Sequence, residues 1–395
     1  MPTFGSRGDN EPFAALAASA SAAGHEVVFA HTSDIPSVPG ASFEQWDLPG
    51  SLRELFGPQG VSLWRGLREY KEVFEPLLES IYQASSEHIR QLSPDVVVYH
   101  PKVLTAPVIA REVGALAVSA ELAPTLTPTK EFPPAGIPWA LPAGLNRASY
   151  GLISLGLAAF GSRAKKLAAE KGLPSHLPHL TLCPVSPSLV PQPADWPDSA
   201  LITGQWHLGD QDRDATDDEL DAFLEHPEVV YAGFGSMKNG DGTRRAEVIV
   251  AAARALGMRA LIATGWGGLE PTDEMRAADD VLVRESVNHA AVLPRVSIAL
   301  HHGGAGTTHA MLRAGVPSVI MPFLGDQPWW AARLAHQGLG PRAVNRHSRN
   351  THDITRAMEA AEASRARVVE ISESMAQEAG TEVALAAIET ARAAL

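Results

Sequence analysis

The chain has 395 residues, 45% of them hydrophobic and 19% charged, with a formal net charge of −13. That length suits two domains of roughly 200 residues each, and the composition excludes a disordered chain. The acidic balance speaks against a nucleic-acid partner, which needs a basic surface. The single cysteine, Cys183, excludes an internal disulfide.

The N-terminal MPTFGSRGDNEP is polar and turn-rich, unlike a secretory signal. PFAALAASASAAG (Pro12 to Gly24) reads as a helix with Gly24 as its stop. HEVVFAH, PDVVVYH and ALAVSAE follow as short buried strands, with a mainly helical stretch from Leu63 to Leu92 between the first two. Strands alternating with helices imply a parallel sheet with crossover connections. Glu121 to Pro142 is too proline-rich for regular structure and reads as a long loop of the kind that walls or lids a site. Ala148 to Ser162 is the most lipid-like run, yet it falls short of the ~20 apolar residues a membrane span needs. It is expected as a buried or interfacial helix of a cytoplasmic protein with at most peripheral membrane contact.

A proline-rich run from Cys183 to Ser199 leads into the acidic GDQDRDATDDELD, which reads as a linker. The alternation then restarts with VVYAGFG, an Arg/Ala/Val helix to Gly257, RALIATG, DVLVRE and VSIALHH, a helix, PSVIMP and another helix. Asp353 to Leu395 reads as continuous helix former. The expected division is 1–207, an acidic linker 208–222, 223–380, and a C-terminal helix 381–395 that packs back on the first half.

The densest chemistry lies in HHGGAGTTHAMLRAGVPSVIMPFLGDQPWW, His301 to Trp330. A strand ends in two histidines, glycines let the backbone approach a ligand, and a helix begins at Gly306–Thr307. In open α/β sheets ligands bind at the carboxyl ends of strands, where a helix N-terminus offers unpaired N–H groups to an anion. The turn therefore reads as a diphosphate cradle. It is neither the lysine-bearing phosphate loop nor the dinucleotide fingerprint, since Gly-Lys-Ser/Thr and the third glycine are both lacking. A metal site on His301, His302 and His309 competes with this reading, but neighbours at a strand end point apart and His309 falls inside the helix. Asp326 and Gln327 stand at the end of the next strand, a carboxylate and an amide able to hold several hydroxyls; Asp326 also suits a helix cap.

His301 to Pro341 resembles the nucleotide-sugar signature of inverting GT-B glycosyltransferases, above all the sterol glucosyltransferase type and bacterial natural-product glycosyltransferases. GSRGDNEP, LTPTKEFPP, VYAGFGSM and TGWGGL support the same resemblance. It implies an α/β, GT-B fold with two Rossmann-like, doubly wound domains facing across a cleft. It further implies that His302, Gly304, Gly306, Thr307 and Ser236 surround the donor diphosphate. Val287 meets the base, Asp326 and Gln327 hold the transferred sugar, and Trp266 lines the cleft. Plant members carry a ribose-binding glutamate where this chain has Ala310, a gap shared with sterol-type members. The partners implied are a UDP- or dTDP-sugar and a bulky hydroxylated lipophilic acceptor, with no cofactor and no metal.

Displacing a diphosphate by an alcohol needs an aligned nucleophile, proton removal and a stabilised leaving charge. The base is expected on the opposite domain. Antibiotic-type members carry Gly-Asp in the loop before the first helix, which maps onto Gly8-Asp9 and makes Asp9 the expected base, with a simple helix-cap role as the alternative. Only MPTF precedes that loop, where family members have a full hydrophobic strand. The acceptor wall is expected from Glu121 to Pro142 and the helices after Leu63, where Trp64, Phe74, Phe132 and Trp139 fall. A nucleotide-sugar 2-epimerase and a catalytically silent nucleotide-sugar binder share these features and remain open at this level.

Overall fold

A computed structural model describes residues 1–32, 41–50, 75–137, 141–160, 162–172, 178–208, 217–235, 241–265 and 267–395. Trp64, Phe74, Trp139, Ser236 and Trp266, and most of the acidic run after Leu208, lie outside the described residues.

The first half places α1 (Arg7–Ala22), β1 (Val28–Thr32), β2 (Glu44–Leu48), α2 (Glu75–Leu92), β3 (Val96–Tyr99), α3 (Ala106–Glu112), β4 (Leu116–Ala120), α4 (Ala143–Phe160), α5 (Ser162–Lys171), β5 (Leu180–Cys183) and β6 (Ala200–Ile202). Strands β3 to β6 form a parallel sheet in that order, and β1 pairs in parallel with β2. Met1–Phe4 joins the two groups. Thr3 N–H donates to Ala30 O (2.9 Å), Ala30 N–H to Met1 O (3.1 Å) and His100 N–H to Pro2 O (3.2 Å). The four residues thus fill the central position, and Thr3 and Phe4 are buried. These bonds pair the backbone groups of the flanking strands on either side, so a segment of four residues suffices to bridge them.

Helix α1 starts earlier than the sequence pattern suggests. Ser6 is its extended N-cap and Pro12 lies inside the helix. The Asp9 carboxylate takes the Ser6 N–H at 2.8 Å, so the first turn is stabilised by its own acid and needs no proline at its start. Asp9 is therefore in the first helical turn and not in the loop before it. Asn10, Phe13, Ala14 and Ala17, at helical spacing, turn the buried face onto the sheet. Fully burying a side chain such as Phe13 is worth about 1.5–3 kcal/mol.

The second half runs α6 (Asp218–Leu224), β7 (Val229–Gly233), α7 (Gly242–Ala255), β8 (Arg259–Ala263), α8 (Asp273–Arg276), β9 (Val281–Arg284), α9 (His289–Val292), β10 (Ile298–His301), α10 (Ala305–Arg313), β11 (Ser318–Ile320) and α11 (Gln327–His336). Its parallel sheet has the order β11-β10-β7-β8-β9, so β7 and β10, which carry the glycine turns, are central neighbours. The tail is not one helix. It divides into α12 (Thr351–Glu362), α13 (Arg365–Met375) and α14 (Gly380–Ala393). At the last break Gly380 lies against the Gly204–Gln205 backbone, and a Cβ there would stand 2.4 Å from Gln205 O. This close crossing seats α14 on α1, with Ala384 and Ile388 sharing a cluster with Phe13, Leu16 and Trp206.

The two halves also share an apolar cluster in which Phe132, Val185 and Leu189 meet Trp329, Trp330 and Val368. Trp329 Nε1–H donates to Pro133 O (3.0 Å) and Arg333 Nε–H to Leu189 O (2.9 Å). His309, buried in α10, donates from Nδ1 to Ala305 O (2.7 Å) and accepts the Ser186 N–H at Nε2 (3.0 Å). Phe132 is thereby a packing residue of the junction, edge-on to Trp329. Helix α4 is less buried than its composition suggests: Leu152 and Leu155 are 66% and 71% exposed. No helix among the described residues is long and apolar enough to cross a membrane.

Candidate active site

The cradle is built by the turn from β10 into α10. Gly303 has φ +89°, and a Cβ there would stand 2.5 Å from Ile320 Cγ2, so the turn needs glycine for both conformation and space. Gly304 is the N-cap of α10 in extended conformation, and no side chain caps the helix. In its first turn the Ala305 N–H faces the Asp326 carboxylate, and the Gly306 and Thr307 N–H groups are the open donors that a helix start presents. Gly306 is exposed, with nothing within 4 Å of where a Cβ would be. Gly304, Gly306 and Thr307 therefore lie along an open surface, while Thr308 and His309 turn into the core.

The two histidines of the strand end do different work. His301 is fully buried and its Nδ1 accepts the Gly303 N–H at 3.0 Å, bracing the turn. His302 is turned away from it, the two rings at 90°. Its ring lies beside Gly304 and Gly235, where added Cβ atoms would stand 2.7 Å and 3.5 Å from it. Burial pushes the His302 pKa down to about 4, so near neutrality the ring is uncharged and offers one N–H. Its Nδ1 is buried and has no partner among the described residues. The ring nitrogen nearest the helix start is Nε2, and an N–H there fits a ligand rich in acceptor oxygens. Among the described residues no group of three or more His, Cys, Asp and Glu side chains is placed to hold a metal ion, and His309 is already consumed at both nitrogens.

Asp326 and Gln327 begin α11 next to this turn. Asp326 accepts the Trp330 Nε1–H at 2.8 Å. Burial raises its pKa above the usual carboxylate value, and the Asp9 charge adds to that rise against the Trp330 bond. The two carboxylates, 317 positions apart in sequence, thus feel each other across the gap between the halves. Gln327 is buried and its Oε1 takes the N–H groups of Phe323 (2.7 Å) and Leu324 (3.1 Å), holding the loop that carries Asp326. Val287 is half-buried in the loop between β9 and α9, just before Asn288, which caps α9 through Ala290 N–H (2.9 Å).

The opposite wall is the first turn of α1, which touches α10. Asp9 Oδ2 accepts from Ser6 N–H (2.8 Å) and Ser6 Oγ (3.1 Å). Gly5 makes this possible: at φ +144° a Cβ there would stand 2.2 Å from Asp9 Oδ2. The other oxygen, Oδ1, meets Lys102 Nζ at 2.7 Å and His100 Nε2 at 3.3 Å. Burial would push this carboxyl up, but the Lys102 ammonium and the His100 hydrogen bond outweigh it and hold Asp9 well below the usual carboxylate range. Helix capping and a cleft-facing carboxylate are therefore both true of Asp9. His100 accepts the Lys102 backbone N–H at Nδ1 (3.1 Å), which leaves its proton on Nε2, aimed at Asp9. His100 and Lys102 were not singled out from the sequence. The available signal was a strand, VVVYH, ending in a polar side chain at the same sheet edge as Asp9.

Two open parallel α/β sheets, with a helix N-terminus on one half facing a carboxylate on the other, define the GT-B architecture. Solved structures similar to this chain include the glycotransferase of kitacinnamycin (20% identity, TM-score 0.72, covering 99% of both chains) and the calicheamicin glycosyltransferase CalG4 (19%, TM-score 0.67, covering 98% of this chain and 96% of that one). Residues 271–390 match the family described as erythromycin biosynthesis protein CIII-like, C-terminal domain. The O-mycaminosyltylonolide 6-deoxyallosyltransferase of Streptomyces fradiae is 32% identical, over 98% of this chain and 96% of its own length. A sterol 3-beta-glucosyltransferase of Arabidopsis thaliana is 31% identical over 87% of this chain, which spans 57% of that relative. The chain belongs to the UDP-glycosyltransferase superfamily.

Proposed function

We propose that the protein transfers a hexose, glucose first among candidates, from a nucleotide diphosphate sugar to a hydroxyl of a bulky lipophilic acceptor such as a sterol or macrolide. UDP is the favoured nucleotide, with dTDP as the alternative. One observation carries this reading: the open Gly306 and Thr307 N–H groups at the start of α10 and the neutral His302 ring stand opposite the Asp9 carboxylate. The printed activities of the sterol and macrolide relatives agree with it.

The acceptor oxygen attacks the anomeric carbon from the Asp9 side while the bond to the diphosphate oxygen breaks on the cradle side. The new glycoside is therefore inverted at that carbon. The acceptor proton passes to Asp9, and the bonding pair of the broken bond leaves on the diphosphate. Hydrogen bonds to the charged leaving group, about 1.5–3 kcal/mol each, exceed the helix dipole's share of about 0.3–1 kcal/mol. That stabilisation makes a metal unnecessary in this reading, and the nucleotide sugar is a co-substrate with no further cofactor. A carboxylate is a weak base toward an alcohol, so proton transfer follows C–O bond formation. In this reading Asp326 takes hydroxyls of the sugar, and Gln327, expected to do the same, has its Oε1 taken by the loop that carries Asp326. We place the reaction in the cytoplasm, with at most peripheral membrane contact.

The test is incubation with UDP-glucose or dTDP-glucose and a panel of hydroxylated sterols, macrolides and flavonoids, read by mass spectrometry. A new acceptor glycoside supports the reading. Free nucleotide without a glycoside, or binding without turnover, contradicts it.

A further inference from the structure

We propose that Lys102 is a displaceable plug on the base: in the resting protein its ammonium occupies Asp9 Oδ1, and the incoming acceptor hydroxyl takes its place. The inference rests on the transferase reading and adds a positioning residue to it.

The hydrogen-bond inventory of Asp9 leads there. Oδ2 belongs to the helix start, held by Ser6 N–H (2.8 Å) and Ser6 Oγ (3.1 Å), and the backbone bond keeps it turned toward α1. Oδ1 has two partners. His100 is fixed: its side chain is 8% exposed and its Nδ1 is pinned by the Lys102 N–H. Lys102 Nζ, at 2.7 Å, ends a long side chain that is 44% exposed. A hydroxyl that donates to Oδ1 must take one of these places, and of the two the lysine's is the one that can be vacated without disturbing the end of β3. The exchange is favourable in kind, because half-exposed ion pairs are weak whereas a hydroxyl on a carboxylate makes a charge-assisted bond. The Lys102 backbone stays put throughout, since its N–H holds His100 and its carbonyl accepts Tyr82 Oη–H at 3.0 Å.

The consequence is timing. While Lys102 covers Oδ1, Asp9 is a poor proton acceptor; once the hydroxyl replaces it, only His100 remains as a donor at that oxygen and basicity rises where the proton must go. Among the described residues the charged and titratable groups facing Asp9 are His100 after β3, Lys102 in the same loop, and Asp326 from α11. Of these, Lys102 is the one that touches Asp9 through an exposed side chain able to leave.

Steady-state pH profiles test this, at saturating UDP-glucose, with the panel compound that gives the most glycoside as acceptor. The profile of kcat/KM reports the free enzyme and that of kcat the acceptor complex. Wild type should show its acid limb at lower pH in kcat/KM than in kcat. Lys102→Met keeps the backbone contacts and removes the ammonium. Its kcat/KM limb should rise by about 1–3 pH units, the usual effect of losing a contacting opposite charge, and coincide with a kcat limb that has not moved. Lys102→Arg should restore the separation. Lys102→Gln replaces the methionine variant if circular dichroism shows that variant misfolded. Both limbs moving together would mean that Lys102 stays on Asp9 in the complex, and neither moving would mean that it does not act on the base; each overturns the plug. Wild-type glycoside in the same assay upholds the transferase reading whatever the variants do, and its absence removes both.

Discussion

Substituting Gly304 by alanine isolates the His302 contact without an obvious backbone lesion. Gly304 sits at φ −64° and ψ 150°, which alanine adopts freely, so the fold should survive with a capping loss of roughly 1 kcal/mol. The added Cβ, however, would stand 2.7 Å from His302 Nε2, below any ordinary contact. The ring must turn away and its hydrogen bond to the diphosphate is lost. A hydrogen bond to a charged group is worth about 1.5–3 kcal/mol, or roughly a 10- to 150-fold weaker Kd for UDP. Isothermal titration calorimetry with UDP on Gly304→Ala, His302→Ala and the double variant makes a complete cycle. Because the alanine acts through the ring, the double variant should bind UDP no more weakly than His302→Ala. Wild-type affinity in Gly304→Ala, or fully additive losses in the double variant, would refute the assignment of His302 to the phosphates.

Asp9→Asn should keep UDP affinity within about twofold, since the cradle lies on the other half, yet lose about 10²–10⁴-fold in transfer rate; matched calorimetry and glycoside assays check the split, and near-wild-type turnover would remove Asp9 from the chemistry. Acid should destabilise the fold from within. Burial pushes His289, His302 and His309 down to about 4, whereas an unfolded histidine titrates near 6.5. Between those values the unfolded chain binds more protons, so the stability present above pH 6.5 is lost as pH falls toward 4. Asp326 and Glu121, with pKa values raised by burial, work the other way, but buried His100 and His301 are also lowered and add to the three. Scanning fluorimetry should show Tm falling across that window, most steeply where protonated His309 would turn a second N–H against that of Ser186; a flat Tm would contradict the sign.

Local pattern carried the cradle. β10, the Gly303–Gly304 turn and α10 are consecutive, so apolar run, glycines and helix former place His302 and the helix start with no knowledge of distant contacts. Asp326 was legible for the same reason. His100 and Lys102 were not, because their meeting with Asp9 depends on β3 and the Met1–Phe4 segment lying side by side, a pairing between residues nearly a hundred positions apart. The start of α1 was misplaced because Pro12 looks like a first-turn residue, whereas the Ser6–Asp9 exchange carries the helix further back. The tail's composition reads as continuous helix former because Ala, Glu and Arg favour helix throughout; only the last segment was set apart, at 381, and the crossing with Gly204 fixes the break at Gly380.

The most direct measurement is a crystal structure of the protein with UDP bound. The diphosphate is predicted within hydrogen-bond distance of the Gly306 and Thr307 N–H groups and the His302 ring, with its free end toward Asp9. A diphosphate bound elsewhere, or one that leaves the start of α10 facing empty solvent, would contradict the account.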